Sequence, residues 1–199
     1  MIKRYKQTEI EELAEILKSN GVISVPTDTV FGICARINSK IAHDKLMKVK
    51  NRPQNKSLPV MCSNKEQIES VAKLNEKSEK LIKYFMPGPI TLVLKKNNNL
   101  PSYVTNGKET IAIRMATSPI LEKLIIEVGS PLFMTSANQS GKKECTNLDE
   151  IEKNCPLLDG MMEGNVIFSK GSTIVDCTSD EIQILREGPI SMEQIKNII

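Results

Sequence analysis

Residues 111–135 read IAIRMATSPILEKLIIEVGSPLFMT, and this stretch holds a strand, a helix and a second strand. Ile111 to Arg114 is short and β-branched, as strands prefer. Ser118 followed by Pro119 is a helix cap and then a proline at the first helical position, where the missing N–H costs nothing. Gly129 supplies the stop, and Leu132 to Thr135 is apolar again. Toward the amino terminus, Thr8-x-x-Glu11 reads as a capping box ahead of Ile10, Leu13, Ile16 and Leu17, with Gly21 as the stop. Val22 to Val25 is a short strand running into Pro26. A helix is expected from about Ser39 to Lys50, ended by Pro53, whose ring disfavours helical geometry at Arg52. Ser63-x-x-Glu66 caps another helix, Asn75 to Phe85 forms the next, and Ile90 to Leu94 is a strand. Toward the carboxyl terminus, Ile174 to Cys177 and Ile182 to Leu185 form a hairpin joined around Ser179-Asp180, and Ser191-x-x-Gln194 opens a last helix. This alternation predicts an α/β fold: a twisted, mixed parallel and antiparallel sheet flanked by helices. With 199 residues and no repeat or low-complexity stretch, a single domain over 1–199 is expected.

Composition narrows the function classes. Aromatic residues make up 4% of the chain and tryptophan is absent, which argues against a base-stacking RNA module. A net charge of +3 is too mild to imply a nucleic-acid or membrane partner by itself. Between Asp44 and Lys56, however, Lys45, Lys48, Lys50, Arg52 and Lys56 face one acid. That stretch is either a solvated helix face or the wall of a polyanion pocket. Five cysteines without a C-x-x-C pair read as reduced, mostly buried thiols. The first residues lack an apolar signal core and no run approaches a membrane span, so a cytoplasmic protein without a membrane partner is expected. His43 is the single histidine, which rules out a multi-histidine metal site. It stands in a polar helical stretch and reads as a surface residue.

Neither G-x-x-x-x-G-K-[ST] nor G-x-G-x-x-G occurs, so a nucleotide site must be built from other parts. Pro26-Thr27-Asp28-Thr29-Val30-Phe31-Gly32 places hydroxyls and a carboxylate beyond a strand's carboxyl end, where open α/β sheets bind ligands. Read alone, it is a side-chain-bonded turn, since Asp and Thr stabilise turns by local hydrogen bonds. Lys50-Asn51-Arg52-Pro53, if extended, puts two cations on one face, with a planar fork and a mobile point charge for phosphate. It is equally a basic helix end. Thr135-Ser136-Ala137-Asn138-Gln139-Ser140-Gly141 offers small donors beside an apolar strand. Arg114, Ser172 and Arg186 each stand at the edge of an apolar strand, and such arginines are most often surface ion-pair partners.

Taken in order, P-T-D-T-V-F-G, K-x-R-P, G-P-I-T-L-V-L, I-A-I-R, T-S-A-N-x-S-G, G-S-T-I-V-D and L-R-E-G resemble the YrdC-like threonylcarbamoyl-adenylate synthases from about Val22 to Gly188. The resemblance implies the short YrdC-like fold with a concave basic pocket, and a nucleotidyltransferase. L-threonine and bicarbonate would give a carbamate that attacks the α-phosphorus of ATP and expels pyrophosphate. By that resemblance Lys50, Arg52, Ser136 and Asn138 are catalytic. ATP would be held by these four with Lys56, Thr110 and Arg186, and threonine by Thr29, Met61, Arg114, Met134 and Ser172. ATP is a substrate accompanied by magnesium, with no resident metal and no tightly bound cofactor. A separate transferase complex would pass the group to tRNA, with weak RNA binding by the chain itself an allowed extra. Three departures bear on the pocket: Phe31 where the family often has tyrosine, Met61 where many members carry histidine, and Ala116 in place of a usual proline. Two other readings stay open. One is a carbamoyl-adenylate-forming relative from hydrogenase maturation, although its C-x-x-C zinc modules are not found here. The other is a non-catalytic RNA-binding module of the same fold.

Overall fold

The computed structural model describes residues 1–166, 171–179 and 181–199. The chain runs β1 (Arg4–Tyr5), α1 (Ile10–Lys18), β2 (Ile23–Val25), β3 (Gly32–Arg36), α2 (Lys40–Val49) and β4 (Val60–Cys62). It continues through α3 (Lys65–Val71), β5 (Ala72–Lys73), α4 (Glu76–Phe85), β6 (Ile90–Lys96), α5 (Ser102–Thr105) and β7 (Thr110–Met115). Last come α6 (Pro119–Val128), β8 (Leu132–Ser136), α7 (Leu148–Asn154), β9 (Gly160–Met162), β10 (Thr173–Asp176), β11 (Gln183–Arg186) and α8 (Met192–Lys196). Asp180, expected in the turn between β10 and β11, lies outside the described residues.

All the strands join one mixed sheet in the order β1-β9-β2-β3-β8-β4-β7-β6-β10-β11, with β5 paired to β6. The mixed α/β sheet expected from the alternation is therefore present, with a twist in connectivity. β4 lies between β7 and β8, parallel to the first and antiparallel to the second, so the strand–helix–strand unit at 111–135 does not close as a parallel crossover. Side chains alternate between two apolar layers, as a strand's period of two requires. Ile33, Ala35, Val60, Cys62 and Phe133 enter one layer, with α2, α3 and α4. Cys34, Met61, Leu132 and Met134 enter the other, with α1 and α6. Both faces being covered explains why β8 reads as a continuous apolar run.

Several helix boundaries follow the sequence signals. The Ser118 hydroxyl accepts from the Leu121 N–H, and Gly129 ends α6 at φ 74° in the left-handed region. Asn75 with Ser78 and Ser191 with Gln194 form capping boxes. Two expected caps are shifted. α1 starts at Ile10 without a side-chain cap, because the Glu9 carboxylate accepts from the Lys6 N–H and turns the chain before Thr8 can act. α3 is capped by Asn64, whose Oδ1 accepts from Gln67, while the Gln67 side chain accepts from the Ser63 N–H.

His43 is not a surface residue. It is 7% exposed, and its ring meets Phe133 edge-on at 5.3 Å. Its positions three and four residues before Leu46 and Met47 put it on the buried face of α2. The five cysteines are free and buried, as expected.

The segment after β11 returns against the start of β10. A Cβ on Gly188 would lie 2.2 Å from the Thr173 nitrogen and 2.6 Å from the Ser172 carbonyl carbon, both backbone atoms that cannot swing aside. Gly188→Ala is expected to cost about 1–3 kcal/mol, the range for overpacking. Urea unfolding measures this, and an unchanged midpoint would show that the two segments are not pressed together.

Candidate active site

A cavity of about 310 Å³ has the sheet itself as its floor. Met61 on β4 pairs across to Arg114 on β7, and Thr91 on β6 pairs to Ile174 on β10. Gly32 and Met134 extend this row on β3 and β8. At Gly32 the backbone packs closely on Met134: a Cβ there would sit 2.3 Å from the sulfur and would push that side chain aside. The floor thus lies on the sheet face that carries Met61 and Met134, and the segments just beyond the carboxyl ends of β2 and β8 reach its walls, as the sequence led us to expect. Loops and element ends form the walls, bringing in Thr29, Lys50, Arg52, Lys56, Ser136, Asn138, Ser172 and Arg186. Of the residues that the resemblance assigns to catalysis or to binding ATP and threonine, Thr110 is the one that stays apart. It begins β7 opposite Lys95, four residues before Arg114, and does not line the cavity.

Lys50 and Arg52 are not in an extended segment. Lys50 is the C-cap of α2 at φ −85°, ψ −7°, and Asn51 is left-handed at φ 46°. The Asn51 and Arg52 N–H groups return to the Lys48 and Met47 carbonyls at 3.0 and 2.9 Å, a left-handed helix stop of the Schellman type. The two cations therefore part. Lys50 is 2% exposed, and its ammonium donates to the Ser136 carbonyl (2.5 Å), the Ser136 hydroxyl (3.2 Å), the Asn138 carbonyl (2.9 Å) and Asn138 Oδ1 (2.9 Å). Ser136 Oγ donates to the same Oδ1 at 2.6 Å, and the Ser140 N–H closes the loop on the Lys50 carbonyl at 2.9 Å. Arg52 is half-buried and braces its own loop, donating from Nε to the Lys56 carbonyl (3.1 Å) and from Nη2 to the Ser57 carbonyl (2.7 Å). Lys56 is exposed at the rim.

Across the cavity, Arg114 is 7% exposed. It donates to the Gly88 carbonyl and to Thr29 Oγ1, and forms an ion pair with Asp28. Arg186 donates from Nε and Nη2 to the Ser172 carbonyl at 3.0 and 2.8 Å, and the Ser172 hydroxyl meets Thr91 Oγ1 at 2.8 Å. Burial, and then the nearby Arg52 charge, push the Lys50 ammonium down from 10.5 to about 8. Burial also lowers the Arg114 pKa, and Asp28 opposes the shift. Among the lining residues, Glu144 is the sole carboxylate beside five cations. Sequence reasoning missed it, along with Thr91, because a lone polar residue in a loop or strand carries no spacing signal. No group of three metal-ligating side chains occurs among the described residues, and no helix there is long and apolar enough to cross a membrane.

The family model that unites the Sua5, YciO and YrdC proteins, described as "Telomere recombination", matches residues 15–188. The chain belongs to this family. A Methanocaldococcus jannaschii member, named a putative threonylcarbamoyl-AMP synthase, is 37% identical over 98% of this chain and 96% of its own length. The Bacillus subtilis threonylcarbamoyl-AMP synthase is 36% identical over 96% of this chain, which spans 56% of that longer protein. Among solved family structures, Pyrococcus abyssi Sua5 complexed with L-threonine superposes with a TM-score of 0.93 at 30% identity, covering 100% of this chain and 61% of that one. The Escherichia coli YciO structure, at 24% identity and a TM-score of 0.89, shares the fold.

Two outcomes follow from the Lys50 network. Lys50→Met strands several buried acceptors at about 1–3 kcal/mol each, so it should lower stability well beyond Lys48→Ala. Lys48 is exposed on the same helix, and its loss should stay within about 0.5 kcal/mol in urea unfolding. The pH dependence has a defined sign. Between about 8 and 10.5 the unfolded chain holds the Lys50 proton and the folded chain does not, so this group's contribution to stability rises with pH there. Over the same window the ammonium that ties Ser136 to Asn138 is lost. Nucleotide affinity measured by calorimetry should therefore fall as pH passes 8, without a matching fall in stability from this group. Parallel losses of affinity and stability in Lys48→Ala would contradict this account.

Proposed function

We propose that the chain is an L-threonylcarbamoyladenylate synthase. It would convert L-threonine, bicarbonate and ATP to threonylcarbamoyl-AMP and pyrophosphate, as the first step of threonylcarbamoyladenosine formation in tRNA. The observation that carries this reading is that every one of the seven motifs contributes to the wall or floor of one cavity, cationic at its rim and methionine-lined at its floor. The names of the relatives point the same way.

In this reading the threonine carboxylate meets Arg114, and its methyl group lies toward Met61 and Met134. The threonine nitrogen adds to bicarbonate carbon with loss of water. An oxygen of the resulting carbamate then bonds to the α-phosphorus of ATP as the bond to the β-phosphate bridging oxygen breaks, and pyrophosphate leaves with that electron pair. The chain's work is positioning and charge compensation, which dominate transfer at phosphorus. Arg52 and Lys56 face the departing phosphates, Lys50 holds Ser136 and Asn138 against the reacting carbamate, and Arg186 with Ser172 joins the nucleotide and threonine ends. No histidine is needed.

Magnesium would arrive with the ATP phosphates and offset their charge. It commonly takes one or two carboxylates beside phosphates and waters, so Glu144 fits as the group that would hold it. A distinct transferase complex in the cytoplasm would consume the product, since an adenylate is a diffusible, activated intermediate.

Pyrophosphate release should require both threonine and bicarbonate, and the product should comigrate with authentic adenylate by mass spectrometry. Equal release from ATP alone would refute the synthase reading, and salt-sensitive RNA binding without ATP turnover would favour the RNA module. Arg52→Ala should lose about 2–4 kcal/mol of transition-state stabilisation, as other electrostatic stabilisers do. Arg52→Lys should stay impaired, because it keeps the charge but loses the fork that reaches both loop carbonyls.

A further inference from the structure

In the turn between β2 and β3, Asp28 and Thr29 bond the Arg114 guanidinium and Thr27 bonds Thr29. Thr27 is 7% exposed, Asp28 8% and Thr29 2%, so all three are buried. Asp28 does not line the main cavity. It stands behind Arg114, on the wall of a small cavity of about 120 Å³. An acid placed there reaches a ligand only through Arg114.

The hydroxyl directions follow from counting hydrogens. Thr27 Oγ1 has one hydrogen, and the Val30 carbonyl at 2.6 Å takes it. In the 3.1 Å contact between Thr27 Oγ1 and Thr29 Oγ1, Thr29 is therefore the donor. Thr29 then has only acceptor capacity left, and Arg114 Nη1 donates to it at 2.9 Å. A directed chain thus runs from Arg114 through Thr29 and Thr27 to the Val30 carbonyl. Thr27 Oγ1 also accepts from the Thr29 and Val30 N–H groups at 3.2 Å, which fixes the turn itself.

Arg114 has five N–H groups. Nε donates to the Gly88 carbonyl, Nη1 to Thr29 and Nη2 to Asp28. One N–H is left on each terminal nitrogen, the number that a carboxylate's two oxygens accept side by side. We propose that Thr27 and Asp28 are positioning residues that hold Arg114 with one N–H per terminal nitrogen reserved for the carboxylate of the amino-acid substrate. Thr29 acts in the same way, with its hydroxyl hydrogen already committed to Thr27. The inference rests on the reading that Arg114 takes the threonine carboxylate.

The test is steady-state kinetics and calorimetric binding of the full chain carrying Asp28→Asn, Thr27→Val, Thr27→Ser or Arg114→Lys. Asp28→Asn and Thr27→Val should each raise the KM for threonine at least tenfold while the KM for ATP stays within twofold. Thr27→Ser, which keeps the hydroxyl, should recover at least fivefold of the threonine affinity lost in Thr27→Val. Should Asp28→Asn fail to fold, the Thr27 pair decides. Unchanged or tighter threonine binding in Thr27→Val and Asp28→Asn, or equal loss of ATP and threonine, would overturn the proposal. If Arg114→Lys leaves threonine binding intact, the assignment of the carboxylate to Arg114 fails. If Arg114→Lys abolishes it while the turn variants do not, this inference alone fails.

Discussion

A buried ammonium with more acceptors than hydrogens sets the shape of the site. Lys50 has three N–H groups, and four oxygens from Ser136 and Asn138 converge on them. Two of those oxygens are backbone carbonyls, so the lysine fixes the path of the chain beyond β8 as well as two side chains. The cost of removing a charge from water is met only when such contacts are complete. The loop at 136–140 therefore has one arrangement compatible with a charged Lys50, and the cavity wall inherits that definition. The helix stop at Asn51 serves the same end. It releases Lys50 inward and sends Arg52 outward to its own pair of carbonyls.

The opposite wall obeys a different rule. Arg114 and Asp28, each 8% exposed at the side chain, neutralise one another, and a buried pair of this kind contributes little net stability compared with apolar packing. Its value lies in orientation. Arg186 likewise gives two donors to one carbonyl, that of Ser172. Lys50, Arg52, Arg114 and Arg186 are thus held by the protein before any ligand arrives, which reduces the ordering that binding would otherwise demand.

Much of this was legible in the sequence, and the failures share a cause. Caps at Ser118 and Ser191, the helix starting near Asn75, the stop at Gly129 and the late hairpin all rest on contacts within a few residues, and they stand where the signals put them. The assigned site residues could be collected by resemblance, and all but Thr110 line one space. What could not be read depends on partners distant in sequence. β4 and β9 have three residues each, too few to show a period, and are strands because β7, β8 and β2 lie beside them. His43 looked solvent-facing among charged neighbours, yet Phe133 covers it. The extended reading of Lys50-Asn51-Arg52 failed because asparagine tolerates a left-handed backbone that continues the helix's own hydrogen bonding.

The position of β9 has a consequence for synthesis of the chain. Residues 160–162 lie between β1 and β2, in parallel with both, so the amino-terminal strand has no place in the sheet until the later segment has left the ribosome. Until then the edge of β2 stays open, and an unpaired edge is a template for association with other chains. Pairings of such long sequence separation also form slowly. A nascent chain of this topology must therefore keep its first third from finding the wrong neighbour while the last third is still being made, which makes its yield in a cell depend on elongation rate and chaperone capture rather than on final stability alone.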